Sequence, residues 1–493
     1  MSPTNPAERH PLLRILVWIL GSVLVFIAAA IGVTALVSVA YGEHRVAGQI
    51  AIAAAVTFVF GILGRRLVDR PSGVTVRQGF VVVGLAWFVF SVFGALPYLF
   101  TGTIPGLIDA FFETASGFTT TGATVVADPA TLPHGILLWR VLTQWLGGLG
   151  VIVLGVAVLP TLGTGGMQLT RAESSGLSTE RLTPRFQGTA VRFWLVYAGL
   201  TLAAFVLLAL GEMNPFDAVV HALATVSTGG YSTTAASAAA FGAYTKWVII
   251  VFMFLGGVSF VLHFRALRDP RVYWRSAEFR IYFVLIAVAA ALIAGGLWIE
   301  MGAGTAVLEG VFASVAIVTT TGFTSSDFGA WRPALQVLVV GLMFLGGMSG
   351  STSGGIKSFR VGVLTKAAYA DLRRLVHPRG VFTVRLGKRK VADGVVESVQ
   401  SFFLFYMLIF MVSTFLLTFV DANMGEDLDL ITSTSAVASA MSNLGSGLGD
   451  VGPAGNHAFL PAPAKLLLAG LMIVGRLEIF PVLVLFTRDL WKR

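Results

Sequence analysis

The chain has 493 residues, 56% of them hydrophobic and only 12% charged, with no cysteine and a formal net charge of +9. A soluble domain carries about 25% charged residues, whereas here apolar runs of roughly 18 or more residues recur along the whole length, so the sequence reads as an all-α polytopic membrane protein. The absent cysteines exclude a disulfide framework, a thiolate nucleophile and a cysteine metal site, and the positive charge is of the kind that gathers in cytoplasmic loops rather than a nucleic-acid footprint.

Two apolar helices come first, at about 13–40 and 47–64, within an N-terminal segment 1–78. The run Ile15 to Ala40 follows Arg9 and Arg14. It outlasts the roughly 7–15-residue apolar region of a signal peptide and reads as a retained helix. After the basic stretch Arg65, Arg66, Arg70 and Arg77, one pattern recurs. Its copies are Thr119-Thr120-Thr121-Gly122-Ala123-Thr124, Val226-Ser227-Thr228-Gly229-Gly230-Tyr231-Ser232 and Thr319-Thr320-Thr321-Gly322-Phe323-Thr324, with a degenerate fourth, Ser442-Asn443-Leu444-Gly445-Ser446-Gly447. Each follows a short apolar segment that starts near Asp109, Asp217, Glu309 or Asp429. Each is followed by a small-residue mark, Leu-Gly-Gly at 146–148, 255–257 and 345–347 and Leu468-Ala469-Gly470 in the last copy. Self-similarity at a regular spacing signals repeats. The expected units are 79–160, 193–267, 279–375 and 396–490, each a helix, a short helix with a Thr-Gly loop, and a second helix.

Positive residues concentrate between these units: Arg171, Arg181, Arg185 and Arg192; Arg265, Arg268, Arg271, Arg275 and Arg280; Arg373, Arg374, Arg379, Arg385, Lys388, Arg389 and Lys390. The opposite loops 125–134 and 324–332 are nearly free of Lys and Arg. The positive-inside rule then puts both termini and the linkers in the cytoplasm and the Thr-Gly loops on the outer side.

The segments before the glycines, Leu107–Phe118, Phe216–Val226, Leu308–Val318 and Leu430–Met441, are apolar but short. Helices of this length reach roughly 18 Å, against a hydrocarbon core about 30 Å thick, and read as re-entrant. Bare backbone at that depth is tolerated only where protein buries it or it lines a water-filled path. Four such loops can converge on a pseudo-fourfold pore. There, carbonyl rings replace the hydration shell of a cation, glycine supplies the unusual backbone angles, and the C-terminal helix ends contribute negative dipole. The candidate ion ligands are Thr120, Thr121, Gly122; Ser227, Thr228, Gly229; Thr320, Thr321, Gly322; and Asn443, Leu444, Gly445.

These loop motifs, together with Trp139-Arg140, Gln144-Trp145-Leu146-Gly147-Gly148 and Gly475-Arg476-Leu477-Glu478, resemble the Trk/Ktr/HKT superfamily of potassium-translocating subunits, and within it the bacterial TrkH type. The resemblance covers the chain from about residue 79 onward, and the two extra N-terminal transmembrane helices fit the TrkH type better than the Ktr type. It implies gated potassium uptake across the bacterial inner membrane, K+ and Rb+ preferred over Na+, K+ held by backbone carbonyls, and a homodimer with one pore per subunit. It further implies a cytoplasmic TrkA-like nucleotide-binding ring. Glycine at all four filter positions goes with potassium in this superfamily, and Gly122 argues against the sodium-passing serine variant.

The second helix of the third unit is interrupted by Gly346-Gly347-Met348-Ser349-Gly350-Ser351-Thr352-Ser353-Gly354-Gly355-Ile356-Lys357, which would break a continuous helix in mid-membrane. The equivalent regions of the first two units stay apolar. A flexible loop under the filter is the expectation, and the resemblance makes it a gate; a kink at a close helix contact is the bland alternative. Gly350 to Ser358 nearly spells a phosphate-binding loop, but Ile356 separates the second glycine from Lys357 and no strand precedes it. Arg476 lies inside an apolar run, and intramembrane charge marks a pathway or a pair. The resemblance places it in the pore against the gate; pairing with Glu478 or with another helix is the alternative. Lys357 can be read as part of the gate or as a residue reaching the interface, His221 as packing, and Glu113 as a cation attractor or a structural hydrogen-bonding group. Coupled Na+ or H+ symport through the same filter is the alternative in transport. An enzyme is not expected, because no Ser/His or paired-Asp set falls within the spans. The basic linker 373–390 and the tail Arg488 to Arg493 suit anionic lipid or the regulatory ring.

Overall fold

The computed structural model describes residues 11–68, 76–157, 185–422, 424 and 428–488. Arg9, Arg70, Arg171, Arg181, the last residues of the expected 79–160 and 396–490 units, and the tail from Asp489 onward lie outside them.

Helices α1 (Pro11–Ala40) and α2 (His44–Arg66) pack along each other at Gly21, Gly61 and Gly64, where a Cβ on Gly21 would stand 2.8 Å from the Gly61 carbonyl. Small residues let membrane helices approach this closely. Next come α3 (Val76–Gly94), α4 (Leu96–Thr101), α5 (Leu107–Phe118), α6 (His134–Ala157), α7 (Arg185–Ala209), α8 (Pro215–Val226), α9 (Ala243–Gly256) and α10 (Phe260–Ala266). The chain continues through α11 (Val272–Arg275), α12 (Ala277–Met301), α13 (Ala303–Val318), α14 (Pro333–Met343) and α15 (Ser358–Val376). A two-stranded antiparallel hairpin, β1 (Arg385–Leu386) with β2 (Arg389–Lys390), leads into α16 (Asp393–Ala422), α17 (Leu430–Ser442), α18 (Ala462–Arg476) and α19 (Phe480–Leu485).

Among the described residues, six helical spans are long and apolar enough to cross a membrane: Leu13–Ala40, His44–Arg66, Gln78–Thr101, Val191–Ala209, Ala277–Met301 and Asp393–Val420. They turn apolar side chains outward, such as Leu36 on α1 and Leu404, Met411 and Phe415 on α16, each more than 65% exposed. That arrangement suits hydrocarbon, where the backbone must be satisfied within each helix. The short helices α5, α8, α13 and α17 sit inside, with 12, 12, 16 and 13 residues. The third starts at Ala303, five residues ahead of the expected Leu308. Their starts are capped where the sequence supplies a cap: Asn214 accepts from Asp217 N and Asp429 from Thr432 N, at 2.8 and 2.7 Å.

Two expectations change here. The interruption expected in the third unit and not in the first two occurs in three of the four. α9 and α10 are bent by 103°, α14 stops at Met343, and α18 stops at Arg476, just before Glu478 and Ile479 with φ of 57° and 63°. The bend after α9 frees the carbonyls of Gly256 and Gly257, and the glycine-rich loop of the third unit uses both, through Thr352 Oγ1 (3.1 Å) and Met348 N (2.8 Å). Only α6 runs through. The small-residue mark of the last unit is also not Gly470, which has open space, but Gly475, whose Cβ would stand 2.1 Å from the Met441 carbonyl. Gly147 makes the same approach to Phe118 O in the first unit. The longer loop between Gly445 and α18 accounts for the later position. Gly475→Ala should therefore cost about 1–3 kcal/mol of stability by overpacking, read as a lowered unfolding temperature of the detergent-purified protein, while Gly470→Ala should leave that temperature unchanged.

Candidate functional site

The four short helices end in one repeated backbone device. The amides of Thr120, Thr228, Thr320 and Asn443 bond to the carbonyls three residues back, at 2.9, 3.1, 3.0 and 3.3 Å. Those of Thr121, Gly229, Thr321 and Leu444 bond five residues back, at 2.8, 2.8, 2.9 and 2.9 Å. This pair of bonds is the Schellman closure, which requires a left-handed residue and normally takes glycine. Here that residue is Thr120, Thr228, Thr320 or Asn443, with φ of 53°, 53°, 54° and 58°. A left-handed β-branched residue costs about 1–2 kcal/mol, and strain of this kind collects at functional sites.

Two residues on, Gly122, Gly230, Gly322 and Gly445 again take positive φ, of 86°, 80°, 77° and 96°. Each lies against the carbonyl of the residue preceding the glycine of the next loop. A Cβ would stand 2.3 Å from Gly229 O on Gly122, 2.0 Å from Thr321 O on Gly230, 1.9 Å from Leu444 O on Gly322, and 2.3 Å from Thr121 O on Gly445. The four contacts close a ring in chain order. Among the described residues, no protein donor is found for the carbonyls of Thr121, Thr321 and Leu444. They are buried acceptors, and buried acceptors require a partner.

The ring corrects the second loop by one residue. Gly230, not Gly229, holds the glycine position; Gly229 stands where Thr121 and Thr321 stand; Ser227 is the helix cap, with φ of −75°. The aromatic residue after the glycine, Tyr231 as against Phe323, was the sequence signal for this register. The other expected ligands fall in the ring as numbered: Thr120, Thr121 and Gly122, Thr320, Thr321 and Gly322, Asn443, Leu444 and Gly445.

Behind the first two loops lies a largely buried polar network. Arg140 pairs with Glu113 at 2.9 Å, donates to Thr124 Oγ1 at 3.0 Å, and stacks over the Tyr231 ring at 4.2 Å. Tyr231 donates to the carbonyls of Glu113 and Ala123. Glu113 is thus a buried structural hydrogen-bonding group. His221, bonded to Asp217 O and Ser232 Oγ, is likewise packing. On one side of the ring a vestibule opens over Gly122, Gly230, Gly322 and Gly445. At its rim, burial pushes His457 down to about 4, partly offset by a hydrogen bond to Thr124 and reinforced by Lys465, so that rim histidine is neutral at pH 7.

On the other side of the ring lies the loop 346–357. Gly354 N donates to Thr320 Oγ1 at 2.7 Å, and Thr228 Oγ1 meets Thr352 Oγ1 at 3.2 Å. A Cβ on Gly354 would stand 2.2 Å from Ser442 O. Thr352 is the hub: its carbonyl accepts from Arg476 Nη1 at 2.6 Å, and Arg476 Nη2 reaches Gly147 O at 3.5 Å. Arg476 pairs with the loop, and Glu478 with Arg360. Lys357 is buried and donates to Ser353 O at 2.6 Å, so it does not reach the interface. Gly346 and Gly355 sit back to back at the Leu345–Ile356 bridge, Gly347 packs on Ser353, Ser351 donates to Met348 O, and Gly350 is exposed. The loop is anchored by Glu278, which accepts from Ser349 N at 2.6 Å. No sequence signal marks Glu278 for this role, because an acid in the first turn of α12 looks like ordinary dipole compensation.

Comparisons with known proteins agree on one family. TrkH, described as a cation transport protein family, matches residues 47–492. The Trk system potassium uptake protein TrkH of Escherichia coli K12 is 40% identical over 429 residues, covering 84% of this chain and 86% of that protein. TrkI of Halomonas elongata is 39% identical over 435 residues, covering 86% of each. The crystal structure of the potassium transporter TrkH from Vibrio parahaemolyticus superposes with a TM-score of 0.88 at 35% identity, over 97% of this chain and 99% of that one.

The buried Arg140–Glu113 pair yields a stability prediction. Arg140→Met leaves the Glu113 carboxylate unpaired and should destabilise the protein by about 3–5 kcal/mol. Arg140→Met combined with Glu113→Gln should lose less than the two single changes together, measured as unfolding temperatures in detergent.

Proposed function

This chain belongs to the TrkH family of cation transport proteins, and we propose that it mediates potassium uptake through the ring formed by residues 120–122, 228–230, 320–322 and 443–445. The observation that carries this reading is the closed ring, in which every glycine is packed against the carbonyl of its neighbour. Such a ring offers oxygen to a dehydrated cation from four sides. Strained loops locked by their neighbours hold the oxygens at fixed spacing, which favours one ion size over another. The selectivity we propose is for K+ and Rb+ over Na+. K+ is the cargo, and the chain is a transporter rather than an enzyme.

Passage is read as passive and driven by membrane potential, which supplies about 2.3 kcal/mol per unit charge per 100 mV. The loop 346–357 is read as the gate. It lies against the ring through Thr352 and Gly354, and the Arg476 guanidinium, bonded to Thr352 O, adds a positive charge that repels cations while the loop is in place. Moving Thr352 away would open the path and carry off the contact that holds Arg476 there. The 79–160, 193–267, 279–375 and 396–490 units are read as four pseudo-symmetric repeats around this path. The basic linkers support an inner-membrane orientation with cytoplasmic termini. Relatives named as parts of a Trk system support a partner subunit, read here as a TrkA-like nucleotide-binding ring below a homodimer.

Purified protein in liposomes under an imposed potential tests the reading. K+ and Rb+ uptake should exceed Na+ uptake. Gly322→Ser adds a Cβ where only 1.9 Å separates it from Leu444 O, and should reduce the K+/Na+ flux ratio at least about tenfold, an effect of roughly 1.4 kcal/mol. Deleting Ser349–Gly354 should raise basal K+ flux. Equal K+ and Na+ flux in the wild type, or a deletion that leaves basal flux unchanged, would count against filter and gate respectively.

A further inference from the structure

Resting on that reading of the ring, we infer that Gln144 is a positioning residue for selectivity, the external fastening of the one filter loop that has no side chain at the position before its ring glycine. In the first and third loops, the residue before the ring glycine is a threonine, Thr121 or Thr321. Its hydroxyl meets that of Thr119 or Thr319 at 2.7 Å, which ties the loop to its own helix cap. In the fourth loop Asn443 does the tying, with Nδ2 donating to Thr121 Oγ1 at 3.0 Å and to Met472 O at 2.8 Å. The second loop has Gly229 at this position and no side chain to use.

Gln144, fully buried on α6, takes over. Its Nε2 donates to Gly229 O at 2.6 Å, and its Oε1 accepts from Tyr231 N at 3.3 Å. One amide therefore brackets the ring glycine Gly230 from both sides. A backbone acceptor on one arm and a backbone donor on the other fix which way the amide faces. The fit is steric as well as polar. A Cβ on Gly229 would stand 2.4 Å from Gln144 Cδ, 2.5 Å from Oε1 and 2.8 Å from Cβ, and no other group ranks among its three nearest atoms. Gly229 does not take a positive φ. It is glycine because Gln144 fills the space, not because the backbone demands it.

The consequence for the ring is an asymmetry. Among the described residues, Gly229 O is the one carbonyl of the four that a side-chain donor engages. A carbonyl that already accepts a hydrogen bond is a weaker and more rigid ligand for a cation than its three neighbours. Its position is set from α6, whose Gly147 carbonyl also accepts from Arg476 at 3.5 Å. Three residues thus separate the fastening of the filter from a contact of the proposed gate on the same helix.

The test is a reciprocal exchange read by ion selectivity in liposomes. Gln144→Met keeps the volume and removes both hydrogen bonds. It should lower the K+/Na+ flux ratio by about fivefold, as expected for loss of a buried hydrogen bond, with maximal K+ flux little changed. Gly229→Thr alone should crowd Gln144 and impair folding or flux. Combined with Gln144→Gly, that threonine has room and can meet the Ser227 hydroxyl as its counterparts meet Thr119 and Thr319, so the double variant should recover selectivity that Gln144→Gly alone lacks. Unchanged selectivity in Gln144→Met, or a double variant no better than Gln144→Gly, would overturn the assignment while leaving the ring itself standing. A wild type that carries K+ and Na+ equally would instead overturn the ring reading, and this assignment with it.

Discussion

Everything in this structure follows from the need to bury four ends of helix, with their loose carbonyls, at the centre of an apolar bundle. In hydrocarbon an unsatisfied backbone group costs several kcal/mol. The chain meets the constraint at the helix ends with the backbone bonds from residues 120–121, 228–229, 320–321 and 443–444, and it packs Gly122, Gly230, Gly322 and Gly445 each against the next loop's carbonyl. No single loop can hold this shape. Its left-handed Thr or Asn is strained, and packing against the other loops holds it in place. The strain at Thr120, Thr228 and Thr320 is thus stored by the ring and offset around it, by the Arg140–Glu113 pair and the Gln144 amide on one side and the glycine-rich loop on the other.

That division of labour explains why the molecule is polar in the middle and apolar outside. Fully buried Thr119, Thr121, Ser227, Thr319, Ser442 and Asn443 cluster at the short-helix ends, while Leu36, Leu404 and Phe415 face outward. It also explains the broken second helices. α9 gives up its continuity at Gly257, and the two carbonyls released become the seats for Met348 and Thr352 of the loop beneath the ring. Arg476, at the broken end of α18, closes the same assembly from the fourth unit. Ring and loop are in this sense one hydrogen-bonded object, and Thr352 touches Thr228, Gly256 and Arg476 together.

The sequence disclosed the architecture because its strongest signals are local. Apolar runs of spanning length, short apolar segments before Thr-Gly, and glycine-rich interruption at 346–357 each reflect a physical requirement met within a few residues. What it disclosed less well depends on contacts between distant segments. Gly229 and Gly230 are both plausible ring glycines until a neighbouring carbonyl or Gln144 is placed beside them. Gly470 and Gly475 look alike until Met441 O is known to touch only the second. Glu113 and Arg140, 27 residues apart, carry no motif that marks them as a pair. The bend at Gly257 was hidden because Val258-Ser259-Phe260 is apolar enough to pass for helix.

The four-loop ring is proposed to bind potassium. Crystals grown with Tl+ in place of K+ would test it most directly, through anomalous scattering. Peaks on the ring axis between residues 120–122, 228–230, 320–322 and 443–445, displaced by K+ but not by equal Na+, are the expected result. A ring without anomalous density while Tl+ binds elsewhere, or one emptied equally by Na+, would contradict the account.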